Sequence, residues 1–270
     1  MVADVAWGGA MTEPAWSGLF SSAPFEFRFG ARPGDPKNFF KASAEHASRV
    51  QLRREIVAEH PDRHVFQEPD SHDAVAELVR WAGLDSGGCL ELGQYWEQDF
   101  MMLLPGDDGQ ERFVAGMICF PSSWAPEEKL GLRVHAIHEP VPTLNEHLGE
   151  RIGKFLAGIR PGKAWERVNW GLSGSPELNQ HPALRIPAMA LPVRLNSVWL
   201  RREDQVLFRL PETGALIFGI NVINISLAEI AADPEGRTGL RQALATMPED
   251  VAEYKNLTDA REALVELLTP

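Results

Sequence analysis

The sequence predicts an α+β fold, on three observations. Apolar residues recur at helical spacing early in the chain, over 43–60 and 71–84. Two pairs of strand-like segments then meet at short turns, GDDG at 106–109 and PETG at 211–214. Helical spacing returns near the end, over 258–268. Helices, then antiparallel strands with one inserted helix, then helices describe a sheet with helical flanks, not alternating βαβ units.

Residues 1–42 are rich in Gly, Pro and Phe and show no period. They are expected to form an arm that packs on the body, with 43–270 as a single domain. The first helix, SAEHASRVQLRREIVAEH at 43–60, is expected to be capped by Ser43. The second, at 71–84, puts Val75, Leu78, Val79 and Ala82 on one face, with Ser71 as cap and Gly83 at its end. QDFMMLLP at 98–105 and RFVAGMICF at 112–120 read as a hairpin. TLNE at 143–146 is a capping box. It opens a helix with Leu148, Ile152, Phe155, Leu156 and Ile159 inward. WERVNWGL at 165–172 reads as a strand, and 173–195 as loop. A long hairpin follows at 197–210 and 215–225, and Thr258 is the expected cap of the last helix.

The chain has 270 residues, enough for one sizeable core. A net charge of −12 argues against a nucleic-acid partner, because phosphate binding needs a basic surface. The start MVADVAWGG lacks a basic stretch followed by an apolar core, so no secretory signal is expected. No run of 18 apolar residues occurs, so no membrane-spanning helix is expected. Two cysteines, Cys89 and Cys119, are too few for a disulfide framework or a four-cysteine cluster, and a reducing cytoplasm is the expected setting. Eight tryptophans against two tyrosines suit either core filling or flat apolar walls around a planar group.

The first candidate for chemistry is His138, in AIHEPVP. Pro140 and Pro142 fix φ and push Glu139 and Val141 toward extended backbone, so the segment after His138 is stiff. A stiff mount suits a metal ligand. Neutral imidazole binds zinc, iron and haem iron. His135 makes an H-x-x-H pair with it, but no carboxylate or cysteine completes a zinc pattern. Haem iron needs only one or two protein ligands. The alternative is a histidine bonded to a neighbouring loop.

The strand 199–209 offers a second group. Alternation places Trp199, Arg201, Glu203, Gln205, Leu207 and Arg209 on one face. If that face lines a cavity, Arg201 and Arg209 are placed to bind carboxylates or propionates. Glu203 is then placed to hold an amine or relay protons. The alternative is a solvated face crossed by weak salt bridges. Lys129 follows two glutamates and looks like a surface turn. Asn169 and Trp170 lie on opposite faces of one strand, so only one faces a given pocket, and Trp170 is the candidate for cofactor contact. Cys119, in MICF, reads as a small core residue.

CFPSSWAPEEKLGLRVHAIHEPVP at 119–142, RVNW at 167–170, LRREDQVLFRLPETGALIF at 200–218 and YKNL at 254–257 occur in that order. RPGDP at 32–36 and QDFMMLL at 98–104 precede them. Together these blocks resemble the haem-dependent oxidative N-demethylase alpha subunit family. The resemblance implies a PAS-like antiparallel sheet enclosing a haem b pocket. It implies dioxygen-dependent oxidation of a small amine, with electrons from a separate flavin and iron–sulfur reductase. It implies His138 as the iron ligand and Glu203 in the distal pocket; His135 and Trp170 are further candidates for cofactor contact, and Arg201 is a candidate catalytic residue beside Glu203. Lys129, Arg201 and Arg209 become candidate contacts to propionates or substrate. The chain departs from the pattern at Gln98, where a glutamate is usual, and at Asn221, where an arginine is usual. Such changes are expected to alter pocket charge and substrate. A non-catalytic haem sensor or accessory subunit is the alternative.

Overall fold

A computed structural model describes residues 14, 16–20, 23–26, 30–137 and 152–270. Its strands are β1 (Arg32–Pro33), β2 (Val65–Gln67), β3 (Asp99–Pro105), β4 (Glu111–Met117), β5 (Ala164–Ser173), β6 (Trp199–Arg209) and β7 (Leu216–Ser226). They form one seven-stranded sheet in the order β1-β5-β6-β7-β3-β4-β2. Every ladder is antiparallel. The helices before the sheet's core strands are α1 (Pro36–Phe39), α2 (His46–Glu59), α3 (Pro61–His64), α4 (His72–Ala82) and α5 (Cys89–Tyr95). The short α6 (Val134–Ile137) and the helix α7 at 152–158 lie between β4 and β5. Four helices end the chain: α8 (Leu227–Ala232), α9 (Pro234–Thr246), α10 (Glu249–Tyr254) and α11 (Arg261–Leu267). This is a mixed helix and antiparallel-sheet architecture, in agreement with the α+β reading. No described helix is long and apolar enough to cross a membrane.

The strand period of two explains how the layers divide. On β6, Val206, Phe208 and Leu210 turn to one side and join a core with Phe40, Leu78, Trp96 and Phe100. Leu200, of the same parity, joins a second core with Ile225, Leu240, Leu244 and Leu264. One face of the hairpin is therefore covered by N-terminal helices at one end and C-terminal helices at the other. Leu207 points the other way. It packs with Met101, Phe113, Ile152, Leu156 and Ile159. Three polar residues of β6, Arg201, Glu203 and Gln205, share that second face.

Two helix starts differ from the sequence reading, and a third agrees in position but lacks the capping bond. α2 begins at His46 with Glu45 as cap residue, not at Ser43. Ser43 instead donates its hydroxyl to buried Glu97 at 3.0 Å and accepts the Glu45 amide at 3.0 Å. A buried carboxylate needs donors, and it outcompetes the helix end. Ser71 is the residue ahead of α4, as expected, but it also ends a 3₁₀ turn, and its hydroxyl donates to the Glu68 carbonyl at 2.6 Å instead of capping the helix. Thr258 lies in a turn ahead of α11, whose cap residue is Ala260. Gly83 ends α4 with φ +86°, the left-handed conformation that glycine takes without a Cβ clash. His138, the TLNE box and Leu148 lie outside the described residues.

Trp16 donates to Asp233 at 2.9 Å, and Arg32–Pro33 pairs with Trp165 and Glu166 of β5. These contacts tie described parts of residues 1–42 to the sheet and to α9.

Candidate active site

The polar part of the second sheet face holds the candidate site. Cross-strand register puts Arg167 opposite Gln205, Asn169 opposite Glu203 and Gly171 opposite Arg201. Directly opposed residues in an antiparallel pair share a face. Two side-chain rows thus converge on Glu203. Asn169 donates to its Oε2 at 3.2 Å and Gln205 donates to the same oxygen at 3.0 Å. Ser122, from the loop after β4, donates to Oε1 at 2.5 Å. A carboxylate has about four acceptor positions. Three are taken by these donors, which leaves room for one further N–H.

Arg201 is the support beneath this group. It is only 3% exposed. Its Nε donates to Ser122 Oγ at 2.8 Å. Its other nitrogens donate to the carbonyls of Phe120, Leu178 and Glu177 at 2.8, 2.6 and 3.1 Å, and to Pro121 at 3.3 Å. Burial lowers its pKa to about 10, against the pull of Glu203 and Asp99. A solvated face with weak salt bridges does not describe this arginine. It clamps two loops over the strand and orders Ser122.

The loop is held from its other side by a buried ion pair. Arg53 of α2 is fully buried and bonds Asp99 of β3. Asp99 accepts the amides of Cys119 and Phe120, each at 2.8 Å. Arg53 also donates to the Gly93 carbonyl at 2.7 Å. Cys119 is fully buried, and burial pushes its thiol up to about 12. It is a core residue.

Lys255, just beyond α10, reaches the edge of β5. Its Nζ donates to the Trp170 carbonyl at 2.7 Å and lies 5.2 Å from the Trp170 ring centroid. Burial lowers its pKa to about 8; Glu203 opposes that shift and Arg167 adds to it. The unfolded lysine, near 10.5, binds more protons than the folded one between pH 8 and 10.5, so this group makes stability rise with pH across that window. Raised thiols at Cys89 and Cys119 act oppositely above pH 9. The test is therefore a difference. Urea midpoints of wild type and Lys255→Met are expected to diverge most at pH 7.5, with the variant the more stable, and to converge by pH 10. Parallel curves would contradict a buried charge.

The sequence-derived candidates divide cleanly. Glu203 and Arg201 come together, joined through Ser122. Trp170 does not join them: it faces the other way, edge-on to Phe20 at 5.1 Å and Phe25 at 6.5 Å, and Asn169 takes the pocket side. Arg209 stands six residues beyond Glu203 on β6, roughly 20 Å along an extended strand. It donates to the Leu156 and Ile159 carbonyls at 2.9 and 3.1 Å and to Glu111 at 2.8 Å, and so ties the end of α7 to the sheet. Lys129 closes a half-buried 3₁₀ turn, Pro126–Lys129, and His135 is exposed on α6. His138 lies outside the described residues; Ile137, the residue before it, packs on the apolar group around Leu207.

Sequence reasoning missed Ser122, Arg167 and Lys255 as members of the group. Gln205 was legible from strand parity. Ser122 and Lys255 come from distant loops, and the signal for each is that it stands in a block that carries the resemblance. The two departures, Gln98 and Asn221, fall elsewhere. Asn221 accepts from Arg49 at 3.3 Å and stands opposite Asp204, on the face away from Glu203. Gln98 is buried and donates to the Phe39 carbonyl at 3.0 Å. Neither is bonded to the Glu203 group.

The fit to a haem rests on space and donor chemistry. A Cβ built at Gly171 meets no heavy atom within 4 Å, so the face beside Asn169, Arg201 and Glu203 is open there. Half-buried Trp165 and Phe218 lie along the same face, next to Leu207. An apolar strip beside buried cations suits a planar group with carboxylate arms. A crevice of about 560 Å³ lies elsewhere, between Arg112, Arg133, Asp70 and Ala136. Its charged walls suit haem less well. Among the described residues no three His, Cys, Asp or Glu side chains are grouped to hold a metal ion. A family model described as haem-dependent oxidative N-demethylase, alpha subunit-like, matches residues 90–265, more than half of the chain.

Proposed function

Because the chain belongs to the haem-dependent oxidative N-demethylase alpha subunit-like family, we propose that it binds haem b and uses dioxygen to oxidise a small amine. The observation that carries this reading is Glu203, a carboxylate oriented by three donors and left with one acceptor position beside open space. Haem, when bound, supplies the oxygen and electron-transfer chemistry. In net terms, an N-methyl amine, dioxygen, two electrons and two protons give the demethylated amine, formaldehyde and water. The electrons come from a separate flavin and iron–sulfur reductase, since two buried cysteines build no four-cysteine cluster here.

The chain's own residues bind and orient. A secondary amine is protonated at neutral pH, and Glu203 accepts its N–H. The same carboxylate takes up the amine proton when the nitrogen must be neutral. Ser122 and Arg201 hold Glu203 in one orientation. His138 is the proposed iron ligand, with His135, Lys129 and Arg209 as further candidate contacts; Trp170, turned to the other face of β5, is not among them. The PAS-like description of the sheet and a cytoplasmic setting belong to the same proposal.

The test is loading and turnover. His138→Ala is expected to lose the Soret band on haem titration, and added imidazole is expected to restore it in part. A variant with an unchanged Soret band would remove His138 as ligand. Wild-type protein that loads haem, accepts electrons from a reductase and yields no aldehyde from an amine panel would be a sensor or accessory subunit instead.

A further inference from the structure

Two backbone holds fix the loop that carries Ser122. The Gln180 amide donates to the Pro121 carbonyl at 3.1 Å, and the Ser123 amide donates to the Gln180 carbonyl at 3.1 Å. Ser122 and Gln180 thereby form a parallel bridge. Upstream, His64 of α3 grips Ile118, the residue after β4. Its carbonyl accepts the Ile118 amide at 2.9 Å, and its ring Nδ1 donates to the Ile118 carbonyl at 2.7 Å.

The two holds meet at a histidine pair. His181 follows Gln180, and its ring centroid lies 5.7 Å from that of His64, edge to face. The rings are buried, at 3% exposure for His64 and 4% for His181. Their hydrogen bonds fix both tautomers. A carbonyl only accepts, so neutral His64 carries its proton on Nδ1. His181 Nδ1 accepts the Ala183 amide at 3.1 Å, so its proton sits on Nε2, which donates to both Glu127 oxygens at 3.0 Å. His64 Nε2 has no hydrogen-bond partner among the described residues. A cleft of about 30 Å³, room for about one water, is lined by both imidazoles and gives protons a way in.

A proton added to His64 creates a second N–H without an acceptor and a charge with little solvent. Glu127, on the facing 3₁₀ turn, is held by His181, and Asp99 of β3 is paired with Arg53. Glu59, His60 and Arg63 border the cleft from α2 and α3, and none of them is bonded to the His64 ring. Burial accordingly lowers the His64 pKa below its ordinary value. His181 adds to that shift, against the pull of the Ile118 carbonyl, Asp99 and Glu127. Between the lowered pKa and about 6.5, a solvated His64 binds more protons than the buried one, so closure weakens as pH falls through that window.

We propose that His64 and His181 form a proton-sensitive brace on the Ser122 loop. While His64 is neutral the brace holds Ser122 against Glu203. A proton on His64 frees the His181 segment from α3, and Ser122 loosens with it. His64 and His181 are positioning residues in this scheme: they act on Glu203 through Ser122. The consequence for turnover rests on the amine-oxidising reading of Glu203, and the brace itself does not.

Hydrogen exchange of the full chain, read by mass spectrometry at pH 7.5 and 5.5 and corrected for intrinsic rates, tests the brace. Opening of 118–127 and 178–184 is expected to rise about tenfold on acidification, the ratio for one histidine that titrates near 6.5 in the open state alone. Strand 200–209 is expected to stay protected. His64→Asn keeps a donor near the Nδ1 position, cannot titrate, and is expected to remove the rise. His181→Gln keeps a donor for Glu127 without the second imidazole and is expected to shrink the rise; it carries the test if His64→Asn does not fold. No rise in wild type, an equal rise over 200–209, or an undiminished rise in the folded variants would overturn the brace. With haem and a reductase, wild type is expected to lose more aldehyde formation between the two pH values than His64→Asn. Opening that responds as expected in a chain that makes no aldehyde at either pH would sink the oxidase reading alone. Aldehyde formation with the same acid loss in wild type and His64→Asn, and no change in opening, would sink the brace alone.

Discussion

Arg53→Met is expected to destabilise the fold by about 3–5 kcal/mol, the usual cost of leaving one member of a buried ion pair without its partner. Arg53 is fully buried, and its partner Asp99 is 1% exposed. Asp99 cannot reach water to recover solvation. It also accepts the Cys119 and Phe120 amides, so a shift of this carboxylate loosens the loop that carries Ser122. The double variant Arg53→Met, Asp99→Asn removes the orphaned charge and is expected to recover part of the loss. Urea denaturation of the single and double variants measures both. A single-variant loss below about 1 kcal/mol would show that the pair is solvated or dispensable.

Glu203→Gln is expected to lower aldehyde formation at least about a hundredfold, the lower end of what a positioned acid–base group contributes. Haem loading and the urea midpoint are expected to stay close to wild type, because glutamine fills the same volume. The amide carries no charge for an ammonium and cannot take up a proton. Ser122→Ala is the companion variant. It leaves the carboxylate but removes the hydroxyl between Arg201 and Glu203, so a smaller loss is expected. Equal turnover in Glu203→Gln and wild type would return this face to a structural role.

Much of the fold was legible. The hairpins at GDDG and PETG and the strand over 165–172 follow from local alternation and turn chemistry, and all three stand in the sheet. The helix starts at Ser43 and Thr258 were not, because a buried carboxylate took the Ser43 hydroxyl and a turn separates Thr258 from α11. For the site, parity along β6 placed Arg201 and Glu203 on one face. It carried no information on burial. Arg201 looked like half of a surface salt bridge and is instead a buried clamp for two loops.

The sequence by itself determined the order of elements, the faces of β5 and β6, and, through the blocks at 119–142, 167–170 and 200–218, the family. Those properties are local: they depend on periods of two and 3.6 and on residues a few positions apart. The tertiary structure decided which side chains meet. Ser122 and Glu203 are 81 residues apart, Lys255 and the Trp170 carbonyl 85, and Arg53 and Asp99 46. No spacing in the chain encodes such meetings. They follow from sheet order, which brings the β4 loop, β5, β6 and the end of α10 to one place, and from burial, which makes each charge there find a partner.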